Sequence, residues 1–546
     1  MNHAVKHELG NGVFVHGLIG ADGTTWAVSF RDAVALIDCA TSEPAAWLKT
    51  LGLPMPDVVL HTHVQPEHTR EGTSLPGSRI LVAEAERERA TDFPAWQRRA
   101  RTTWDNPDEW METLGREMYG IAGSITRLPP ATPLSIAGTF HAGNSIPWHD
   151  LVFTVLALPG HDREAVGFVL SRHGKNLALF SGDLLRHPSH LVNLYDLEVA
   201  YHVTVIDRLP VLLRQVAALK VPLFPATGPA LVDGARAAND LATRIEKYQQ
   251  ALIWESGEFT TLTAPACTSL GRWDRVADGV WQINNYGNAI LFIDDQGRGL
   301  MIDPGPCGFG QPDREGTFNA DLALFEAEAG LRTIDTVLIT HPHGDHYDQL
   351  HVVRQRYPGV KAVALDLVAE VVNQPTAWPY PALLPWYNLG HDQHVDQTLQ
   401  VGTTWHWHDI AIEVVWLPGH IIAHAGYLVH WRADEFIACT GDVVQSRGES
   451  MPLFFALCND SPADVDQGCL RTVRTLLGRG ITLNLGGHSS RFRMCDSLYR
   501  ESLRRMEHAL PALADLFHDG DLVRASRRPG WPEPPPSLLA ATPSGR

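Results

Sequence analysis

The feature that most constrains the fold of this 546-residue chain is a block of sequence that occurs twice. Residues 148–183 read WHDLVFTVLALPGHDREAVGFVLSRHGKNLALFSGD, and residues 407–442 read WHDIAIEVVWLPGHIIAHAGYLVHWRADEFIACTGD. The two blocks align over 36 residues without a gap, at a constant offset of 259, and eleven positions are identical. Chance does not readily preserve both the motifs LPGH and GD and the spacing between them. We therefore predict two tandem domains of one fold.

The sequence around each block is repeated as well. Each half begins with an alternating, glycine-punctuated run, which predicts a meander of strands and ends at Asp38 in the first half and at Asp303 in the second. An amphipathic segment, an apolar strand and a histidine-rich loop follow each run. Each half closes with a long helical pattern, over residues 231–253 and 495–517.

The linker between the halves is predicted in residues 255–272, which contain Gly, Thr, Pro and Ser without a clear period. We therefore expect a first domain over residues 1–254 and a second over residues 255–525. The proline-rich tail, residues 526–546, is expected to be disordered.

The histidine-rich loop of the second half follows a short apolar strand in the stretch VLITHPHGDHYDQL, residues 337–350. In an extended loop residues two apart point the same way, so His341 and His343 can bind one ion. Asp345 and His346 can then bind a second ion. Imidazole and carboxylate without thiolate form a nitrogen and oxygen ligand set, which suits zinc, iron or manganese.

Residues 337–488 resemble the metallo-β-lactamase superfamily, whose motifs are HxHxDH, a later His after PG, an Asp after Gly, and a final His. The resemblance implies a mixed α/β (α+β) fold, here as two tandem αββα sandwich domains, with the site at one edge of the sheets. It also implies two divalent metal ions, zinc first, with iron or manganese as alternatives. The implied ligands are His341, His343 and His420 for one ion, Asp345, His346 and His488 for the other, and Asp442 bridging both.

Such a pair of ions suggests a chemistry. Two cations about 3.5 to 4 Å apart lower the pKa of a shared water toward neutrality and supply hydroxide, which attacks a carbonyl or phosphoryl group. Asp345 is the expected catalytic residue, because it both binds metal and can orient the nucleophile or take its proton. Asp303 is expected to hold a ligand histidine through a hydrogen bond. His424 and Tyr427 follow His420 closely, and for both we favour packing over a substrate contact.

The first half departs from this pattern. Gln is a poor substitute for imidazole as a zinc ligand, and Thr is scarcely a ligand at all. We therefore predict a degenerate N-terminal site. We favour a site without metal that has a structural or substrate-shaping role. A single adventitious or structural metal ion ranks second, and a catalytic pair of ions ranks third. One complete and one degenerate half resemble the long form of the tRNA-processing endonuclease of this superfamily. The aligned residues are His63, His68, His161 and Asp183, which are kept, and Gln65, Glu67 and Thr227, which replace His, Asp and His.

The composition limits which binding partners and which cellular compartment we expect for this chain. The formal charge of -18 argues against a nucleic-acid substrate, which needs clustered Lys and Arg. Neither an apolar stretch of membrane-spanning length nor a secretory signal is evident, and the seven cysteines are scattered without a CxxC motif. We expect a cytoplasmic protein with a small-molecule substrate and with no membrane or nucleic-acid partner. A homo-oligomer is compatible with the sequence.

The sequence favours a metal-dependent hydrolase of a small-molecule ester, thioester, lactone or amide. The spacing of 22 residues from His420 to Asp442 and the helix after His488 resemble the small-molecule branch, with its glyoxalase II-like thioesterases and lactonases. This step is an analogy, because a fold does not fix a function. Two alternatives stay open: a non-haem iron (diiron or mono-iron) oxidoreductase or oxygenase on the same ligands, and a nuclease-like phosphodiesterase.

Overall fold

The structure is a computed structural model of the chain. It describes residues 3–20, 23–41, 43–70, 75–96, 132–160, 162, 164–192, 201–251, 268–283, 289–305, 313–374, 393–432, 434–444, 468–488, 491–493 and 495–518.

The described residues form two compact units. The first contains the described residues up to Ala251 together with residues 512–518, and the second contains those from Thr268 to Pro511. The predicted domain limits at residues 254 and 525 stay predictions. In the structure, residues 512–518 are grouped with the first unit, although the prediction assigned them to the second domain. These pack with the first unit, where the backbone N–H of Leu191 donates to the carbonyl of Leu516 at 2.8 Å.

The first unit contains two mixed sheets. The seven-stranded sheet has the order β1-β2-β3-β4-β5-β6-β7, antiparallel up to β4 and parallel from there on. The five-stranded sheet has the order β12-β11-β10-β9-β8, and only β11 and β12 pair in parallel. The strands are β1 (His3–Gly10), β2 (Val13–Ile19), β3 (Thr24–Phe30), β4 (Ala33–Ile37), β5 (Val58–Leu60), β6 (Arg79–Ala83), β7 (Gly138–Phe140), β8 (Ser145–Trp148), β9 (Leu151–Ala157), β10 (Val166–Arg172), β11 (Lys175–Gly182) and β12 (Leu223–Pro225).

The second unit also contains two mixed sheets, of eight and five strands, with the same change from antiparallel to parallel pairing along each sheet. This similarity in strand pairing between the two units is what a duplication predicts. A common origin of the two halves stays a prediction. The strands are β13 (Thr268–Leu270), β14 (Trp273–Ala277), β15 (Val280–Ile283), β16 (Ile290–Ile293), β17 (Arg298–Ile302), β18 (Thr333–Ile339), β19 (Lys361–Leu365) and β20 (Gln397–Leu399), then β21 (Thr404–Trp407), β22 (Ile410–Trp416), β23 (Ala425–Trp431), β24 (Glu435–Cys439) and β25 (Leu483–Leu485).

Helices connect the strands in both units. The helix Arg314–Glu328 is capped by Asp313, whose carboxylate accepts the backbone N–H of Gly316 at 2.8 Å. Within the described residues no helix has the length and apolar content needed to cross a membrane. The helices are α1 (Pro44–Thr50), α2 (Pro66–Thr69), α3 (Arg87–Thr91), α4 (Tyr201–Ala218), α5 (Gly234–Ala251), α6 (Arg314–Glu328), α7 (Leu350–Arg356), α8 (Asp366–Asn373), α9 (Cys469–Leu476) and α10 (Cys495–Ala514).

The packing of the sheets follows from the alternation of side chains along each strand. In β4, Ala35 and Ile37 lie in a core that includes residues of the five-stranded sheet, such as Phe168 and Phe180. Val34 and Leu36, which point the other way, lie in a second cluster with Trp47 and Leu48 of α1. Each sheet therefore buries one face on another sheet and can cover the other with helices, so the predicted mixed α/β class is confirmed.

Candidate metal centre

The predicted ligands of the second half all lie just beyond the ends of strands. The loop with His341, His343, Asp345 and His346 follows β18, and its last residues form a short 3-10 helix, Gly344–His346. His420 follows β22, Asp442 follows β24 and His488 follows β25. Strands β22, β24 and β25 run in the same direction, so their carboxyl ends deliver these residues to one edge of the sheet.

The structure brings all seven predicted ligands together in two groups that could hold metal ions. In the first group, Asp442 Oδ2 lies 3.8 Å from His341 Nε2 and 3.5 Å from His420 Nε2. His343 Nδ1 lies 2.8 Å from His420 Nε2. Three imidazoles and a carboxylate oxygen therefore face one small volume, which is a zinc-type donor set.

The second group contains Asp345, His346 and His488 and also contacts Asp442. His488 Nε2 lies 3.0 Å from Asp345 Oδ2 and 3.1 Å from Asp442 Oδ2. His346 Nε2 lies 3.3 Å from Asp442 Oδ1. The carboxylate of Asp442 is therefore shared by both groups, as a bridging ligand must be.

Hydrogen bonds behind the ligands fix the orientation of two imidazoles. The hydroxyl of Thr340 donates to Asp303 Oδ2 at 2.6 Å, so its oxygen is left to accept the Nδ1–H of His341 at 3.1 Å. His346 Nδ1–H donates to Asp303 Oδ2 at 3.0 Å. In both rings Nε2 is then directed into the site, and it is the nitrogen that a metal ion would bind after losing any proton it carries.

The donor atoms are arranged to bind a metal ion rather than to form hydrogen bonds with one another. Among the described residues, His341 Nε2, His346 Nε2 and Asp442 Oδ1 are buried and make no hydrogen bond. A buried polar atom without a partner costs about 1–3 kcal/mol, which applies to His341 Nε2, whereas His346 Nε2 and Asp442 Oδ1 lie 3.3 Å apart and partly compensate each other. Cations between these atoms would remove that cost.

The two groups differ in how easily they give up protons. Burial lowers the pKa of His341 and of His420 well below the ordinary range and that of His343 to about 4, so these imidazoles are neutral at pH 7. Burial opposes charge on His488 too, but the carboxylates of Asp442 and Asp345 raise its pKa to about 9. Burial opposes charge on His346 as well, but the carboxylates of Asp442, Asp345 and Asp303 raise its pKa well above the ordinary range. Without an ion, both imidazoles of the second group therefore carry an extra proton at neutral pH.

Uptake of the second ion should therefore depend on pH more strongly than uptake of the first. Between pH 8 and pH 6, where His346 and His488 are both protonated, an ion must displace two protons, so its affinity should fall by about a hundredfold per pH unit. The first group has lost its protons at these pH values and should show little change. Stepwise zinc titration against a chromophoric chelator measures both affinities. An equal pH dependence of the two steps would contradict the assignment.

His424 belongs to the site although the sequence favoured a packing role. It is fully buried, its ring stacks on His341 with centroids 4.8 Å apart, and its Nε2 accepts the backbone N–H of Asp442 at 3.2 Å. Burial lowers the pKa of His424 to about 3, so it stays neutral and keeps this acceptor. His424 is therefore a positioning residue that acts through Asp442. Its sequence signal is a histidine where the aligned first-half residue is Ala165.

Replacing His424 with alanine should weaken metal binding by about 10- to 100-fold, the usual effect of removing a partner behind a ligand. His424→Gln, which can still accept the N–H of Asp442, should restore part of the affinity. The exposed His430 provides the control, and His430→Ala should leave affinity unchanged. Metal affinity by competition is the measurement, and equal affinities of wild type and His424→Ala would rule out the positioning role.

Two further residues shape the site without binding to it. Tyr427 is fully buried and its hydroxyl donates to the carbonyl of Ile339 at 2.7 Å, so it holds the end of β18 as part of the core. Gly487 lies so close to the site that a Cβ there would come 2.1 Å from Asp442 Oδ1. Only glycine therefore fits before His488.

The structure places part of the predicted N-terminal site together. His63, His68 and Asp183 form a third buried group that could hold a metal ion. The hydroxyl of Thr227 donates to Asp183 Oδ1 at 2.8 Å, and Gln65 is fully buried beside the same loop. His161 and the side chain of Glu67 lie outside the described residues.

Comparisons with known proteins support the resemblance in the second half. The model of the family described as the metallo-beta-lactamase superfamily matches residues 284–512. A hydroxyacylglutathione hydrolase from Stenotrophomonas maltophilia (strain R551-3) is 34% identical over 74 residues, which cover 14% of this chain and 24% of that protein. One from Aeromonas hydrophila subsp. hydrophila is 27% identical over 143 residues, which cover 26% of this chain and 43% of that protein. The chain thus spans less than half the length of these relatives.

Solved structures with partial similarity include metallo-β-lactamases. The DIM-1 metallo-beta-lactamase has a TM-score of 0.33 and 15% identity, and the match covers 44% of this chain and 97% of that chain. A metallo-beta-lactamase family protein from Thermus thermophilus has a TM-score of 0.29 and 20% identity, covering 45% and 83%. The matched family model and the ordered motifs carry the assignment: the second half of the chain, over residues 284–512, belongs to the metallo-β-lactamase superfamily.

Proposed function

We propose that the second half is a metal-dependent hydrolase that uses two divalent ions, zinc first, on a small-molecule ester, thioester, lactone or amide. The observation that supports this most directly is the shared carboxylate of Asp442. It lies within 3.8 Å of imidazole nitrogens from both ligand groups, so two ions bound there would be neighbours. A divalent ion supplies Lewis-acid chemistry, since it lowers the pKa of water and polarises a carbonyl oxygen.

The residues of the chain would contribute position and proton transfer. Asp345 Oδ2 faces both His488 Nε2, at 3.0 Å, and the centre of the site, so its carboxylate can orient a water or accept its proton. Asp303 and Thr340 hold two imidazoles in the required orientation. His424 fixes the backbone of Asp442. These groups are in place before a substrate arrives, which lowers the cost of reorganisation during the reaction.

Among the seven ligand residues, His343 and His488 are partly exposed and the other five are buried. The His488 side chain is 22% exposed, whereas those of His341 and His346 are completely buried. A substrate carbonyl can therefore approach next to Asp345 and His488 without movement of the buried ligands.

Among the candidate substrates we place thioesters first. The relatives named hydroxyacylglutathione hydrolase share part of their sequence with this chain, and their name denotes hydrolysis of an acyl-glutathione. A thioester also suits the site chemically, because its carbonyl is electrophilic and its thiolate leaves without needing a strong general acid. The formal net charge of the chain, -18 at pH 7, is consistent with a substrate other than nucleic acid.

A substrate panel combined with metal analysis tests the proposal. Zinc-loaded protein should hydrolyse an acyl-glutathione thioester or a related ester or lactone, and treatment with a chelator should abolish the activity. Restoring zinc should restore it. Tightly bound iron with oxygen uptake would contradict the hydrolase assignment, and cleavage of a phosphodiester alone would contradict the substrate class.

A further inference from the structure

The three donors of the first half converge on one point. His63 Nε2 lies 4.0 Å and His68 Nε2 lies 2.8 Å from the same oxygen, Asp183 Oδ2. All three side chains are almost fully buried, and the two rings lie with centroids 4.0 Å apart. Two imidazole nitrogens and one carboxylate oxygen within 4.8 Å of one another form a zinc-type donor set. We propose that the first half of the chain binds a single divalent transition-metal ion between His63, His68 and Asp183.

The first half keeps the hydrogen bonds that orient a ligand imidazole. The hydroxyl of Thr62 donates to Asp38 Oδ2 at 2.8 Å, so its oxygen accepts the Nδ1–H of His63 at 3.2 Å. The backbone N–H of Thr62 donates to Asp38 Oδ1 at 2.8 Å. His68 Nδ1 lies 3.5 Å from Asp38 Oδ2. Both rings therefore turn Nε2 toward Asp183, and this is the arrangement that prepares an imidazole for a metal ion.

The contacts of Asp38, Thr62 and His63 match those of the second half, whereas His68 Nδ1 lies 3.5 Å from Asp38 Oδ2 and the aligned His346 Nδ1 lies 3.0 Å from Asp303 Oδ2. Thr340 makes the same two hydrogen bonds to Asp303, at 2.8 and 2.6 Å, and its oxygen lies 3.1 Å from His341 Nδ1. Asp38 and Asp303 share a left-handed backbone, with φ of 57° and 52°, a conformation that costs a non-glycine residue about 1 kcal/mol or more. The presence of Gln65 and Thr227 at two ligand positions of the first half has therefore left the hydrogen bonds that orient His63 intact.

The same geometry favours a single ion in the first half. Thr227 occupies the position aligned with His488, and its hydroxyl donates to Asp183 Oδ1 at 2.8 Å. That oxygen is thus committed to a protein donor, whereas the corresponding Asp442 Oδ1 is buried and makes no hydrogen bond within the described residues. Asp183 therefore presents only Oδ2 to the site. A single ion held there is suited to fixing the loop in place.

Zinc stoichiometry in a chain whose second half cannot bind metal tests the proposal. The full-length variant His343→Ala/Asp442→Asn is stripped with a chelator, reloaded with Zn²⁺ alone and desalted, and bound zinc is measured by mass spectrometry. About one zinc ion per chain should remain. Adding Asp183→Asn, which preserves the side-chain volume, should reduce bound zinc to near zero, whereas the exposed-residue control His173→Ala should not.

Two results would overturn the proposal. Absence of zinc from the His343→Ala/Asp442→Asn chain would mean that a proton alone links His68 to Asp183. Zinc retained after Asp183→Asn would place the ion elsewhere. Circular dichroism establishes whether each variant is folded. If the Asp183→Asn variant does not fold, His63→Ala replaces it in the experiment. It removes one donor, leaves the bond from Thr227 to Asp183, and should also release the ion. Neither result bears on hydrolysis by the second half.

Discussion

Replacing His343 with alanine is expected to abolish metal binding in the first ligand group and to lower hydrolysis by at least about a thousandfold. Losing a partner behind a ligand typically costs 10- to 100-fold, so losing a ligand itself should cost more. His343 contributes little to the packing of the core, which would otherwise complicate the result, since its side chain is only partly buried. Its pKa of about 4 leaves the imidazole neutral and ready to bind an ion at neutral pH.

The aligned residue of the first half provides the control for this prediction. Gln65 occupies the position of His343 in the sequence alignment, and Gln65→Ala should change neither second-half metal content nor the rate of hydrolysis. Loss of a buried polar side chain can lower the free energy of unfolding, so stability is measured separately by thermal denaturation. Metal per chain and kcat/KM are the measurements. Full activity of His343→Ala would refute the assignment of the site.

The strands could be predicted from the sequence because their signal is local. Alternating apolar side chains define a strand over a few residues, as in β4, where Val34 and Leu36 face helix α1 while Ala35 and Ile37 face the other sheet. The left-handed backbone of Asp38 and Asp303 could not be predicted in this way. It arises where a parallel strand must end and turn its carboxylate back toward the next loop, and no residue preference favours it over the extended form.

The metal ligands could be predicted because HxHxDH places four donors within six residues, so their proximity needs no knowledge of the fold. His424 could not, because its role depends on a contact across 18 residues with the backbone N–H of Asp442. The retained bracing of His63 was missed for the same reason. The sequence shows which donors were replaced, whereas only the coordinates show that Asp38 and Thr62 still orient His63.

Replacing Asp442 with asparagine is expected to release both ions of the second half, whereas replacing Asp345 should release only one. Asp442 lies between the two groups, 3.5 Å from His420 Nε2 on one side and 3.1 Å from His488 Nε2 on the other. Asparagine keeps the shape of the side chain but removes the negative charge, and a neutral amide is a weak ligand for zinc. Hydrolysis should fall by at least about a thousandfold in both variants.

The difference in metal content between these variants is what distinguishes a shared ligand from an ordinary one. Asp345→Asn alters only the group with His346 and His488, so about one zinc ion per second half should remain. If Asp442→Asn also kept one ion, the carboxylate would serve a single group and the two ions would not be neighbours. If it kept both, Asp442 would not be a ligand. Because Asp442 also balances the charge of His346 and His488 when no ion is bound, the metal-free Asp442→Asn protein should be less stable than metal-free wild type.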